Sequence, residues 1–161
     1  MSESKLHEVV ITAIIFKDDR CLITRRSRAK KRFPGKWTVP GGKLEVGDYI
    51  DTPKETENYW YNILEKVLRR EVVEEVGLKI KNIEYVTSLA TVHEDGSPSL
   101  VISCLADYES GNVVLQKDET DMFEWVTAEE ARKYDLIDGI YEEIEMADRQ
   151  RRGQKGEWKR E

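Results

Sequence analysis

Long apolar runs are missing from this sequence, and so is any excess of positive charge. No stretch approaches the ~18 apolar residues that a membrane-crossing helix needs, and the mean hydropathy is −0.63. Cysteine is scarce: Cys21 and Cys104 stand apart in apolar runs, with no C-x-x-C spacing. That excludes a disulfide framework and a cysteine zinc site, and leaves two buried free thiols as the expectation. Two histidines, His7 and His93, are too far apart to suggest a zinc pair. Acidic residues outnumber Lys and Arg by 32 to 26, a formal charge of −6. Such a chain repels polyanions at long range, which counts against nucleic acid as a partner. A phosphate-bearing ligand therefore needs a locally basic site or a metal. The start, Met1-Ser2-Glu3-Ser4-Lys5, lacks the charged and apolar regions of a secretory signal, so a cytoplasmic location with no membrane partner is expected.

What is present is enough apolar residue, 39% of 161, for one ordinary core, and a single domain over 1–161 is expected. The β-branched runs Glu8 to Phe16 and Cys21 to Thr24 read as two strands around the polar turn at 17–20. A basic loop follows, with Arg25, Arg26, Arg28, Lys30, Lys31 and Arg32, and leads through Phe33-Pro34-Gly35 and Trp37 to the breaker Pro40-Gly41-Gly42. The polar stretch from Gly47 to Asn58 reads as an inserted loop or short helix. Helical spacing from about Tyr59 to Val76 ends at Gly77, suited to the left-handed position past a helix. Strands are expected at Ile80 to Val92, Ser99 to Tyr108, Val113 to Leu115 and Met122 to Val126. Thr127 with Glu130 has the form of a capping box opening a helix. A last amphipathic helix carries Ile137, Ile140, Tyr141 and Ile144 on one face, and the charged tail from Gln150 to Glu161 is expected to fray. Strands interleaved with helices point to an α/β sandwich on a mixed sheet.

The helix ending at Gly77 holds the chemistry. With Glu71 at zero on a helical wheel, Glu75 falls at about +40° and Glu74 at about −60°. Leu64, Val67 and Leu68 fall at about +20°, −40° and +60°, so the acids extend the stripe that faces the core. Inward carboxylates repel one another and lose hydration unless cations or hydrogen bonds compensate. Mg²⁺ does so with hard oxygen ligands and is commonly shared between one or two carboxylates and substrate phosphate oxygens. A solvated Glu-rich face remains the alternative for E-x-x-E-E alone.

The surrounding residues narrow that choice. Arg70-Glu71-Val72-Val73-Glu74-Glu75-Val76-Gly77-Leu78, preceded by Gly42 and Asp48, resembles the Nudix box G-x5-E-x7-R-E-U-x-E-E-x-G-U, with U aliphatic. Two departures stand out. Asp48 replaces the first glutamate, and 21 residues (49–69) separate it from Arg70 where the family has 7, an insertion of 14 placed at about 49–62 with the aromatic cluster Tyr59-Trp60-Tyr61.

The resemblance implies an α/β/α sandwich with a mixed β-sheet and a metal-dependent hydrolase acting on a nucleoside diphosphate linked to a group X. It implies Glu71, Glu74, Glu75 and the Gly41 carbonyl as ligands of Mg²⁺, or of Mn²⁺ in its place. Arg70 is implied as the residue steadying the first acid, and Glu74 and Glu75 as catalytic residues. Glu119 is the choice for a further metal ligand or base on a later loop, with Glu94 and Asp121 as rivals. Arg26, Arg28, Phe33 and Lys43 are the expected substrate contacts, Arg26 foremost, while Trp37 is assigned to core packing. The run from Gly35 to Gly42 resembles relatives that convert nucleoside triphosphates to monophosphate and pyrophosphate. ADP-ribose or a nucleotide sugar is the alternative substrate, a non-catalytic nucleotide sensor the alternative class, and RNA cap removal a third reading. A homodimer is common among similar proteins.

Overall fold

The computed structural model of the chain describes residues 5–153, so the part of the frayed-tail expectation that covers 154–161 lies outside the described residues. Ten residues, Glu8–Lys17, form β1, and within it Ile11 to Phe16 are buried without a break. Burial on both faces requires a layer on each side. Ile11, Ala13 and Ile15 pack with Val67, Leu68, Val72 and Val76 of helix α1 (Ile63–Val76). Ile14 and Phe16 pack on the other side with Ile140, Ile144 and Ala147 of helix α2 (Ile140–Arg151). This alternation along one strand builds the helix/sheet/helix sandwich. Cys21 and Cys104 are both free and buried.

The sheet is mixed. Along one edge β1 pairs in parallel with β6 (Pro98–Ser110), which returns antiparallel from β5 (Lys79–Val92). The turn between β5 and β6 closes with His93 N donating to Ser97 O at 2.9 Å, and Gly96 adopts a φ of 86°. The other edge of β1 is divided between two partners. At its end, Phe16 and Lys17 pair with β2 (Arg20–Arg26); nearer its start, Val10 to Thr12 pair with β4 (Gly41–Lys43). From there β2 diverges to pair with β3 (Trp37–Thr38) and β7 (Thr120–Val126). The gap between the two branches brings the basic loop and the Gly-Gly segment to one end of the sheet.

Several expected elements differ. Helix α1 starts at Ile63, not Tyr59, after Asn62 in a left-handed conformation. Upstream, Trp60 instead packs against Tyr49, ring centroids 5.0 Å apart and planes tilted by 59°, and donates its indole N–H to the Thr52 carbonyl at 2.9 Å. Residues 113–115 are not a strand: Val114 N and Gln116 N donate to the Val76 and Glu75 carbonyls, both at 2.9 Å, supplying acceptors' partners that a helix end lacks. The Thr127–Glu130 box forms, with Glu130 N on Thr127 Oγ1 at 3.1 Å and Thr127 N on Glu130 Oε1 at 3.3 Å, but it opens only a short 3-10 turn, Glu130–Lys133. Ile137 precedes the final helix, and α2 extends through Arg151 into the segment expected to fray. Trp37 is core, edge-on to Tyr134 at 4.9 Å. Among the described residues no helix is long and apolar enough to cross a membrane.

Among the described residues one carboxyl group is fully buried in this frame. Glu143 on α2 is 3% exposed, its Oε1 lacks a hydrogen-bond partner, and burial pushes its carboxyl from 4.5 up to about 7. The folded chain therefore holds this proton more tightly than the unfolded chain. The group is neutral in both states below about pH 4.5; its penalty grows as pH rises and is complete above about pH 7, at about 3 kcal/mol. Glu143→Gln is expected to match the parent in urea unfolding at pH 4 and to exceed it by up to about 3 kcal/mol at pH 8. A gain independent of pH would contradict this account.

Candidate metal and phosphate site

The site begins with a backbone contact. A Cβ on Gly41 would lie 2.3 Å from the Ile11 carbonyl oxygen, and one on Gly42 would lie 2.2 Å from Glu71 Cδ. At 41 only glycine lets β4 lie this close to the β1 backbone, whereas at 42 a side chain would have to displace the Glu71 carboxylate. The last turns of α1 then bring Glu71 and Glu75 against it. Glu75 Oε2 accepts a hydrogen bond from Gly41 N at 3.2 Å, so the Gly41 group seen to engage the acids is its amide. Gly77 closes the helix at φ 74°, with its amide on Val73 O at 3.0 Å.

The three box glutamates are not equivalent. Burial pushes Glu75 up to about 7, with Glu71 and Glu119 adding repulsion and Arg26 opposing it. Glu71 is also raised by burial. Glu74, at the margin of the wheel's inward stripe, is half exposed and accepts from Arg70 Nη1 at 2.9 Å. Arg70 serves three acids at once: Glu74, Glu71 at 3.2 Å, and Asp48 through its Nη2. The contact between Asp48 and Arg70 thus forms across the 21 residues that separate them.

Glu119 reaches the same end of the sheet because Val114 and Gln116 are tied to the last carbonyls of α1, and Glu119 N then bonds to Gln116 O at 2.9 Å. Its carboxylate pairs with Lys30 at 2.6 Å. The rival Asp121 is held by two bonds from Arg25, at 2.7 and 3.1 Å, and Glu94 is exposed in the turn between β5 and β6.

The expected phosphate contacts separate. Arg26 is half-buried, donates Nε to Arg32 O at 2.8 Å, and lies in the field of Glu75 and Glu119. Arg28 is exposed nearby. Lys43 is engaged elsewhere, 2.9 Å from Glu8 Oε1. Arg32, then Lys43 and Ser99, hold the Glu8 carboxyl down at about 2. Phe33 is 45% exposed at a φ of 50°. Glu8, which gathers Arg32, Lys43 and Ser99, and Lys30, which meets Glu119, make contacts that motif reading did not single out. Glu8 carried no signal in its local sequence, whereas Lys30 was visible only as one member of a basic run.

Among the described residues no three acids, histidines or cysteines converge as a ready cage; Glu71, Glu74, Glu75 and Glu119 each face a cation or an amide. The donor set nevertheless suits a hard divalent cation. Glu71 and Glu75 are one helical turn apart, both carry raised proton affinity through burial, and the glycine cradle leaves no carbon between them and the backbone.

Comparison with known proteins agrees with this geometry. The NUDIX domain profile matches residues 6–145. The NAD-capped RNA hydrolase NudC of Klebsiella pneumoniae (strain 342) is 33% identical over 115 residues, which is 71% of this chain but 37% of that protein. The chain thus spans little more than a third of the length of the curated relatives it matches. The MutT NUDIX hydrolase of Burkholderia pseudomallei superposes with a TM-score of 0.67 at 22% identity, covering 88% of this chain and 98% of that one. The NUDIX domain of Shewanella oneidensis NrtR, solved with ADP ribose, gives 0.68 at 20% identity over 92% and 90%. At those identities the structural likeness establishes the fold.

Gly42→Ala tests the cradle directly. Displacing Glu71 by about 1 Å is expected to lower Mn²⁺ affinity and turnover together, turnover by about a hundredfold, with the circular dichroism spectrum unchanged. Unaltered titration of Mn²⁺ by Gly42→Ala would show that Glu71 does not need this approach.

Proposed function

The chain belongs to the NUDIX domain family, a family of pyrophosphohydrolases, and on that footing we propose that it hydrolyses a phosphoanhydride bond in a nucleoside diphosphate linked to a further group. The observation that carries this reading is the docking of Glu71 and Glu75 against the Gly41-Gly42 segment, opposite the half-buried guanidinium of Arg26. Glu71 and Glu75 would hold Mg²⁺, or Mn²⁺ in its place, with Glu119 and Glu74 as further carboxylates. The cation would neutralise phosphate oxygens and acidify the attacking water. Arg70 orients Glu71 and Asp48. Arg26 is placed to oppose phosphate charge, with Arg28 at the outer edge of the loop. Glu119, or Glu74, is the candidate to accept the proton of the attacking water.

For the substrate, the favoured reading is a nucleoside triphosphate giving monophosphate and pyrophosphate, supported by the run from Gly35 to Gly42. The second reading is a dinucleotide or sugar diphosphate. It is supported by the NudC relatives, named for NAD-capped RNA, and by the fold neighbour solved with ADP ribose. A nucleotide-sensing module without turnover is disfavoured by retention of Glu71, Glu74 and Glu75. The acidic whole and the single basic loop weigh against a long RNA as the substrate.

Glu75→Gln is expected to abolish turnover with the fold retained, since it removes a carboxylate but little volume. In the parent, Glu75 is charged only as pH rises through about 7. Mn²⁺ affinity should therefore climb by up to about tenfold per pH unit below that point and level off above it, with turnover rising above pH 7. A panel of nucleoside triphosphates, ADP-ribose, nucleotide sugars and NADH with Mg²⁺, scored for orthophosphate, pyrophosphate and monophosphate, separates the substrate readings. Full activity in Glu75→Gln would overturn the assignment.

A further inference from the structure

Lys30 is fixed more firmly than a solvated lysine on a basic loop requires. Its amide donates to Ser27 O at 3.1 Å, and the neighbouring Ala29 amide donates to Ser27 Oγ at 3.2 Å, forming a tight turn. Ser27 N in turn donates to the Glu119 carbonyl at 2.9 Å. The loop and the carboxylate-bearing segment are thus joined by backbone, and the Lys30 ammonium closes the junction on Glu119 Oε2 at 2.6 Å. Glu119 is close enough to Glu75 for their charges to repel.

We propose that Lys30 is an internal counter-ion of the metal site: it neutralises Glu119 in the metal-free protein and, displaced by the divalent cation, becomes a contact for the substrate polyphosphate. The proposal rests on the functional reading above, in which Glu119 faces the cation. A divalent ion and an ammonium on one carboxylate repel each other at close range. The ammonium is the one to leave, because it sits on a flexible stem and both partners of the pair retain solvent contact, 28% and 43% exposed. Its backbone stays pinned to Glu119, so the displaced charge remains beside the site, where the arriving phosphates supply the anion it has lost. Arg26, lying in the field of both Glu75 and Glu119 but donating to the Arg32 carbonyl, makes no such exchange.

The test uses the full chain, with Mn²⁺ binding followed by electron paramagnetic resonance and inorganic tripolyphosphate as the phosphate probe. In Lys30→Met, Mn²⁺ alone is expected to bind about two- to fivefold more tightly, since a competing cation is gone. With Mn²⁺ saturating, tripolyphosphate is expected to bind about tenfold more weakly, and Lys30→Arg should recover most of that loss. Opposite signs in the two titrations are the signature, because a merely structural role for Lys30 would weaken both. In Lys30→Met with Glu119→Gln the gain in Mn²⁺ affinity should vanish. Glu75-dependent Mn²⁺ binding in the parent, with neither affinity altered by Lys30→Met, overturns the counter-ion inference alone. Parent binding of Mn²⁺ that ignores Glu75→Gln overturns the functional reading beneath it.

Discussion

Close approach of a glycine backbone to an acidic helix face is the constraint on which the arrangement depends. The β4 strand fits against β1 on one side and α1 on the other because Gly41 and Gly42 present no Cβ. Without that fit Glu71 and Glu75 would stay at the end of an amphipathic helix, repelling one another over an apolar layer. With it, a backbone N–H faces Glu75, and both acids are held where burial raises their affinity for a positive partner. Fold stability and site chemistry pull in opposite directions here. The sandwich is stabilised by Val67, Leu68, Val72 and Val76 on α1, while the same helix carries clustered, partly buried acids in its final turns.

The charge balance around those acids explains why no metal cage stands ready-made among the described residues. Asp48, Glu71 and Glu74 share Arg70, Glu119 has Lys30, and Asp121 has Arg25. Glu75 alone has no ion-pair partner and relies on the Gly41 amide. Pairs between partly exposed groups are individually weak, of order 1 kcal/mol or less, so they hold the acids apart without locking them. A divalent cation competes against several modest contacts in place of one strong one.

How much of this could be read from the residues alone depended on whether the signal was local. The β-branched run of β1, the stop at Gly77 and the Thr127–Glu130 box are all local, and all appear in the structure. Tyr59 to Asn62 carries helix-compatible residues, yet aromatic packing of Trp60 on Tyr49 outweighs that weak propensity. The apolar run Val113 to Leu115 resembles a strand, but its amides serve the open carbonyls of a helix end that no local pattern reveals. Helical periodicity placed Glu71 and Glu75 together but could not show that Glu74 is drawn outward by Arg70. Likewise, no local pattern shows that tertiary structure brings Glu8 beside Lys43.

Asp48 and Arg70 meet although 21 residues separate them. Asp48 is fixed on its near side by a 3-10 turn, Val46–Asp48, with Asp48 Oδ2 accepting from Glu45 N at 2.7 Å. Arg70 is fixed on the far side by α1. With both ends set independently, the intervening chain needs only to leave and return. Lengthening it from 7 to 21 residues adds about 1 kcal/mol of closure entropy. The contacts of Trp60 with Tyr49 and the Thr52 carbonyl, and of Glu55 with Lys66 at 3.0 Å, tie the excursion together at its base. The ion pair survives because closure entropy rises only logarithmically with length, whereas the geometry of Asp48 and Arg70 is decided by the turn and the helix that carry them.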